Sequence, residues 1–351
     1  MFCLEFQKMF ADKIFKIKSI SEFKNLALRI FKLQADINPV YNSYLKQLKT
    51  IPSKVNSIKE IPFLPIEFFK TKALSNNCEE DGRGNPKKSK KIISKSGSML
   101  FTSSGTSGSP SHHFVYDLNL YEKSFLNSFE LFYGNIENYS LLALLPSYLE
   151  NKNSSLIYMT DNLIKKTKNK NSGFFLYDFV LLSKKLFELE KEKQKTILLG
   201  VSYALLDFSE KTKSPVSGGN WLTVMETGGM KGRRPELIRE DLHKRLQKYF
   251  GVKKIHSEYG MTELLSQAYS KGKGVFNCPP WMKILIRDTN DPFQILGPGK
   301  TGGINIIDLA NINSCSFIAT QDLGQLHPDG SFEVLGRYDG SELRGCNLMV
   351  D

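Results

Sequence analysis

The 351-residue chain has no apolar run long enough to cross a bilayer, so no membrane span is expected. Glu5 and Asp12 break up its first residues, which predicts no secretory signal and a cytoplasmic protein. Cysteine is sparse and scattered. Cys3, Cys78, Cys278, Cys315 and Cys346 form no C-x-x-C pair, and their number is odd. That spacing excludes a disulfide framework and a thiolate zinc site. The five histidines show no metal-ligand spacing, and the adjacent His112 and His113 would point to opposite sides of a strand. No internal repeat is present. In the Ser/Gly-rich stretch 101–111, Gly108 is not followed by the Lys of a Walker-type loop, and no G-x-G-x-x-G occurs there. Ser109 stands where a nucleophile elbow needs its second glycine.

Acidic residues are also under-supplied. Lys and Arg number 48 against 36 Asp and Glu, a net charge of +12. Residues 1–100 carry 19 of the former and 9 of the latter, with Lys87, Lys88, Lys90, Lys91 and Lys95 the densest group. A basic cluster suggests nucleic acid or an acidic partner. No aromatic residue interleaves with these lysines, so bases have no stacking platform, and a solvated Lys-rich loop is the better reading. No nucleic acid partner is expected.

What the chain does have is alternation. Phe23, Leu26, Ala27, Ile30 and Phe31 follow helical spacing after Ser21, and Pro39 ends that segment before a second helix with Tyr41, Tyr44, Leu45 and Leu48. The prolines of I-P-F-L-P-I, 61–66, enforce an extended path. Strands are expected at 99–102, 141–145, 196–201, 221–225 and 254–257. Helices are expected at 117–133, 177–192, 203–211 and 235–249. After residue 270 short strands follow at 282–286, 303–307 and 331–335. This order predicts an α/β fold: a mixed, largely parallel sheet covered by helices, with a smaller β-rich subdomain. The expected organisation is an N-terminal helical and extended segment (1–75), a Lys-rich loop (76–98), an α/β core (99–270) and the β-rich part with its tail (271–351).

Five segments carry candidate chemistry. The stretch F-T-S-S-G-T-S-G-S-P-S, 101–111, joins a strand to a helix, and its N–H groups and hydroxyls suit phosphate oxygens. Taken alone, such a run is more often a plain loop. In S-E-Y-G-M-T-E, 257–263, Tyr259 offers an apolar face and Gly260 lets backbone approach a ligand. Thr262 offers a hydroxyl, and Glu263 a hard oxygen donor. The bland alternative is a helix start capped by Thr262. In M-E-T-G-G-M-K-G, 225–232, the paired Gly228 and Gly229 permit close passage of a flat ring or phosphate. Lys231 reaches a phosphate or a substrate carboxylate, or is an ordinary solvent lysine. T-Q-D-L-G, 320–324, and L-G-R-Y-D-G-S-E-L-R-G-C, 335–346, complete the set.

Together these segments resemble those of the adenylate-forming superfamily, which includes acyl-CoA synthetases and luciferase-like ligases. The resemblance implies the N-terminal-domain fold of those enzymes, with ATP and Mg²⁺ bound. Thr102, Ser103, Ser104, Gly105, Thr106, Ser107 and Gly108 would hold phosphates. Gly228, Gly229, Tyr259, Gly260 and Met261 would surround the adenine, with Thr262 on a phosphate and Glu263 on Mg²⁺. Asp322 would bind the ribose hydroxyls, although Gln321 stands where the superfamily usually has Gly. Arg337 would meet ribose or phosphate, and Asp339 would mark a hinge whose spacer is one residue short. Superfamily members carry a small C-terminal domain beyond that hinge, with a Lys that assists adenylation. This chain ends at Asp351, so that domain is expected to be absent.

Nearly end to end, the chain also resembles the LuxE-type acyl-protein synthetases, the ATP-dependent fatty-acid-activating component of bacterial bioluminescence reductase complexes. Matching segments include I-P-F-L-P-I-E-F-F-K (61–70), L-L-P-S-Y-L-E (144–150), S-S-L-I-Y-M (154–159) and L-L-G-V-S-Y-A-L-L-D-F (198–208). Others are T-G-G-M-K-G (227–232), E-Y-G-M-T-E-L-L-S-Q-A-Y (258–269) and G-S-E-L-R-G-C-N-L (340–348). In that family a Cys near the C-terminus takes the acyl group as a thioester, and Cys346 is the matching residue, with Arg344 nearby to lower its pKa. Without the resemblance, a small buried Cys is the commoner case. The resemblance implies activation of a fatty acid to acyl-AMP, transfer to Cys346, and delivery to a partner such as an acyl reductase. Tyr148, Leu149 and Tyr158 lie in matching segments and are candidates for an acyl slot. A ligase delivering acyl groups to an acyl carrier protein or CoA is the alternative, and a non-catalytic basic binding protein the second.

Overall fold

The structure is a computed structural model that describes residues 10–71, 97–103, 109–146, 153–212, 215–229 and 237–337. Its elements begin with helices α1 (Ile20–Ile37) and α2 (Pro39–Gln47), strand β1 (Leu64–Pro65) and the single turn α3 (Phe68–Thr71). Then come β2 (Met99–Thr102), β3 (His112–Val115), α4 (Leu118–Tyr133), β4 (Ser140–Leu144) and α5 (Ser155–Thr167). The alternation continues with β5 (Gly173–Phe174), α6 (Phe179–Glu192), β6 (Thr196–Val201), α7 (Ser202–Lys211), β7 (Leu222–Thr227), α8 (Arg239–Phe250) and β8 (His256–Tyr259). The remainder is strands: β9 (Ala268–Ser270), β10 (Val275–Asn277), β11 (Met282–Arg287), β12 (Ile295–Leu296), β13 (Thr301–Asp308), β14 (Phe317–Leu326) and β15 (Phe332–Arg337). Among the described residues no helix is long and apolar enough to cross a membrane.

The chain divides into two compact units. One comprises Met99–His112 and Tyr121–Phe276. Its parallel strands run in the order β8-β7-β6-β4-β5, with β9 antiparallel beside β8 and β10 next to β9. A helix bridges each parallel step, as crossover geometry requires. Strands β4 and β6 are buried along their whole length, the mark of a sheet covered on both faces. Side-chain alternation sorts their residues. Leu142, Leu144, Leu198 and Val224 share a core with Leu182 and Leu186 of α6, Phe208 of α7 and Leu246 of α8. Leu141, Ile197, Leu199 and Met225 instead meet Phe129 of α4 and Met159 and Leu163 of α5, around a void of about 10 Å³.

Local chemistry fixes the helix ends. The Asp178 carboxylate accepts the Leu181 N–H at the start of α6, and Gly251, at φ 61°, ends α8. Helix α8 begins at Arg239, with Glu240 and Asp241 in a first turn that favours negative charge. The sequence pattern expects that helix from residue 235, but residues 235 and 236 lie outside the described residues. Helix α5 is absent from the sequence expectation. The structure shows Ser154 capping it through the Ile157 N–H, and Lys165 and Lys166 closing its last turn.

The second unit comprises Met1–Ser98, His113–Leu120 and Asn277–Asp351. Its strands lie in the order β12-β11-β13-β14-β15, and β1 joins β14 in parallel through Leu64–Ile318 and Pro65–Ala319. The two prolines thus set an extended segment, as expected. Ser19 caps α1 through the Glu22 N–H, and Phe23, Leu26, Ala27, Ile30 and Phe31 are its buried face. Asn38 ends α1 and caps α2 through the Tyr41 N–H, with Pro39 in the first turn where its missing N–H costs nothing. Phe31, Tyr41 and Phe63 pack around Phe317, with ring centroids 5.9, 6.3 and 6.3 Å away. Burying an aromatic ring of this kind contributes roughly 1.5–3 kcal/mol.

Candidate functional site

The carboxyl ends of β7 and β8 lie side by side. Their register pairs Glu226 with Ser257 and Thr227 with Glu258. The two glycine-bearing turns that follow, at 228–229 and 260–263, therefore leave the sheet at neighbouring points. Open α/β sheets bind ligands beyond this edge.

Gly228 and Gly229 are exposed and adopt φ of 70° and 60°. Two successive left-handed residues are costly for any residue with a Cβ. A Cβ at Gly229 would meet nothing within 4 Å, so the turn faces open ground. Gly260 answers to a different constraint, because a Cβ there would lie 2.3 Å from Oε1 of Glu258. Glu258 is itself held in place: the Thr227 hydroxyl donates to its Oε2 over 2.5 Å.

Tyr259 is 9% exposed, and its ring sits 5.9 Å from that of Phe276, tilted by 60°. Met261 and Thr262 are partly exposed, in a turn closed by the Leu264 N–H donating to Met261 O over 3.1 Å. No helix starts there, so Thr262 is not a helix cap. Glu263 is buried at 5% exposure. Three residues on, the Ser266 hydroxyl meets that of Ser124 in α4 at 3.0 Å, which ties this segment to the helix.

Sequence reasoning missed the polar cluster directly beneath the paired glycines. Glu226 is 6% exposed. Ser202, at the start of α7, donates to its Oε2 over 2.8 Å. From α8, His243 Nε2 lies 3.6 Å and Arg239 Nε 3.9 Å from its Oε1. Burial opposes ionisation of Glu226, but the facing His243 and Ser257 side chains, the Arg239 guanidinium and the Ser202 hydroxyl outweigh it and hold the carboxyl below its ordinary value. The signal available in the sequence was an acid at the end of the apolar strand that leads into T-G-G.

The hydroxyl-rich stretch leads from β2 into its partner strand β3 and not, as the sequence reading expects, from a strand into a helix, and its mouth is closed on itself. The Ser103 N–H donates to Ser111 O over 3.1 Å, and the Ser111 N–H donates to Ser103 Oγ over 2.8 Å. The Thr102 N–H donates to Asn153 O over 2.9 Å. Ser104, Gly105, Thr106, Ser107 and Gly108 lie outside the described residues, as do Tyr148, Leu149, Lys231, Asp339, Arg344 and Cys346. The ring of Tyr158 is engaged in packing. It lies 5.5 Å from Phe101 and 5.9 Å from Tyr121, and its hydroxyl donates to Glu122 over 2.5 Å.

In the second unit, Asp322 of β14 pairs in register with Arg337 of β15, whose Nε lies 3.9 Å from Asp322 Oδ1. The Asp322 N–H donates to the Thr320 hydroxyl over 3.1 Å. Gln321 points to the opposite side of the strand, where its amide donates to Glu67 over 2.7 Å. That contact accounts for a long polar side chain at this position. Cys278 and Cys315 carry free thiols, each pushed up to about 12, chiefly by burial. Among the described residues no group of three or more His, Cys, Asp or Glu side chains could hold a metal ion.

No protein-family model and no curated protein sequence matches the chain. Solved structures do. The chain is similar to an open conformation of 2-hydroxyisobutyryl-CoA ligase in complex with 2-HIB-AMP and CoA, with a TM-score of 0.60 at 11% identity over 92% of this chain and 71% of that one. The same ligase in its postadenylation state, in complex with 2-HIB-AMP, gives 0.59 at 13% identity, covering 92% and 69%. ATP-bound MatB from Rhodopseudomonas palustris gives 0.50 at 18% identity over 68% of this chain. The match covers 47% of that protein, so the chain spans about half its length. At these identities the likeness is one of fold: the chain has the mixed α/β fold of the N-terminal domain of adenylate-forming enzymes.

Proposed function

We propose that the chain is an adenylate-forming acid–thiol ligase that activates a long-chain fatty acid with ATP and accepts the acyl group on Cys346. The observation that carries this reading is the juxtaposition of T-G-G and Y-G-M-T-E on neighbouring strand ends of this fold. A carboxylate is a poor electrophile because its charge repels nucleophiles. Its attack on the α-phosphorus of ATP expels pyrophosphate and leaves acyl-AMP, a mixed anhydride. In this reading Thr102 and Ser103, with Ser104, Gly105, Thr106, Ser107 and Gly108, hold the departing phosphates, and Lys231 faces a phosphate or the carboxylate. Gly228, Gly229, Tyr259, Gly260 and Met261 receive the adenine, Asp322 and Arg337 the ribose, and Thr262 a phosphate. The exposed glycine turn, with open space at Gly229, fits a nucleotide.

Nucleotide-bound Mg²⁺ takes most of its ligands from phosphate and water and needs only one or two carboxylates. In this reading Glu263 would supply one such carboxylate, and the ion would supply charge neutralisation at the triphosphate. The Cys346 thiolate then attacks the acyl carbonyl, AMP leaves with the electron pair, and a thioester remains for transfer to a partner enzyme. A long chain binds chiefly by burial, at roughly 0.8 kcal/mol per methylene. A second reading sends the same acyl-AMP to CoA or an acyl carrier protein. It is supported by the CoA ligase that shares the fold.

Intact-mass analysis after incubation with ATP, Mg²⁺ and a panel of fatty acids separates the readings. The expected result is an acyl adduct that hydroxylamine removes and that maps to Cys346. Cys346→Ser loses the adduct and still exchanges pyrophosphate into ATP. Full turnover by that variant to a CoA or carrier-protein ester selects the second reading. Absence of exchange with every acid rejects both.

A further inference from the structure

Arg239 is linked to both arms of the proposed nucleotide site through one neighbour on each side. Arg239 opens α8, and its Nε lies 3.9 Å from Glu226 Oε1, two residues ahead of Gly228. Its Cζ stands 5.3 Å over the Phe276 ring. Phe276 is 2% exposed and supports Tyr259, the residue before Gly260, at 5.9 Å. Space for this side chain is built in, because a Cβ at Gly274 would come within 2.8 Å of Arg239 Cδ and 3.2 Å of its Nη1. The connected series Glu226, Arg239, Phe276, Tyr259 thus joins the end of β7 to the end of β8 through α8. Only a planar guanidinium suits both contacts. A guanidinium can face an aromatic ring while its edge meets a carboxylate, whereas an ammonium does one of these at a time.

We propose that Arg239 is a positioning residue for nucleotide recognition, which fixes the T-G-G turn and the Tyr259 ring at the separation an adenine base requires. This rests on the proposed adenylate-forming reading. Arg239 contacts no reacting atom, so its loss acts on capture of ATP rather than on turnover at saturation. His243 and Ser202 remain beside Glu226 when Arg239 is replaced, which leaves the buried carboxylate partnered.

The test is ATP–pyrophosphate exchange with a fatty acid, resolved into kcat and KM for ATP, on wild type, Arg239→Lys, Arg239→Met, Phe276→Leu and Phe276→Tyr. In Arg239→Met and Phe276→Leu, KM for ATP rises about tenfold, kcat stays within about twofold and the preference for ATP over GTP falls. Arg239→Lys is intermediate and Phe276→Tyr restores wild-type KM. Unchanged KM in Arg239→Met and Phe276→Leu overturns the inference. So does an equal fall of kcat and thermal midpoint in all four variants, which marks a purely structural role. A wild type that neither exchanges with any acid nor binds ATP with Mg²⁺ in calorimetry removes the adenylate-forming reading, and this inference with it. Normal wild-type exchange beside unaffected variants removes this inference alone.

Discussion

The Thr227 hydroxyl meets the Glu258 carboxylate across the paired ends of β7 and β8, and this contact dictates what residue 260 can be. A methyl group at 260 fits only if the Glu258 carboxylate shifts away from its Thr227 contact. Gly260→Ala is expected to destabilise the fold by about 1–3 kcal/mol, measured as a urea midpoint. Thr227→Val frees the carboxylate to move, so the double variant should recover part of that loss. A double-mutant cycle with no coupling would show that the Thr227 contact is not what holds Glu258 against residue 260.

Glu226 sets an acid limb. Its folded carboxyl lies below the ordinary 4.5, so it binds its proton less readily in the folded chain than in the unfolded one. The stability it contributes is full above the unfolded value and is lost as pH falls through the folded one. Glu226→Gln is expected to flatten the decline in urea midpoint on acidification below the ordinary carboxylate value. An acid limb of unchanged steepness would place the titrating group elsewhere.

Thiol chemistry should be selective. Cys278 and Cys315, at about 12 against an ordinary 9.0, are almost wholly protonated near neutrality. At about pH 8 their thiolate fraction falls roughly a thousandfold below that of an unperturbed thiol. Iodoacetamide mapping of the native protein is expected to leave the buried Cys315 unmodified and to label the partly exposed Cys278 only slowly, while denatured protein labels at both. Rapid native labelling at Cys315 would contradict its burial.

Arg337 and Asp322 separate function from stability. Arg337 is 64% exposed at the side chain and Asp322 14%, and their 3.9 Å contact is long for an ion pair. Arg337→Ala is expected to shift the urea midpoint by less than about 1 kcal/mol equivalent. If the pair serves the ribose, that variant and Asp322→Asn raise KM for ATP in the exchange assay. Unaltered KM in both would release these residues from the proposed site.

Much of the fold was legible because its signals are local. The apolar run at 196–201 and the spacing of Phe23, Leu26, Ala27, Ile30 and Phe31 follow from one short window each. Strand β14 was not anticipated, since Thr320, Gln321, Asp322 and Gly324 interrupt its apolar pattern with residues used for side-chain contacts. Helix α5 was hidden because its polar and apolar residues gave no breaker to start from until Ser154 is seen as its cap. The glycine turns announced themselves through residue type. The roles of Glu226, Arg239, Glu258 and Phe276 did not, because each is defined by a partner on another element. Gly260 was read as room for a ligand, and the structure adds a neighbour inside the protein that already excludes a side chain.

Gln34 reaches Asn311 O, Ile312 O and the Ser316 hydroxyl, partners 277, 278 and 282 positions further along the chain. On a ribosome, α1 must therefore wait until most of the polypeptide has followed before the buried amide of Gln34 is satisfied.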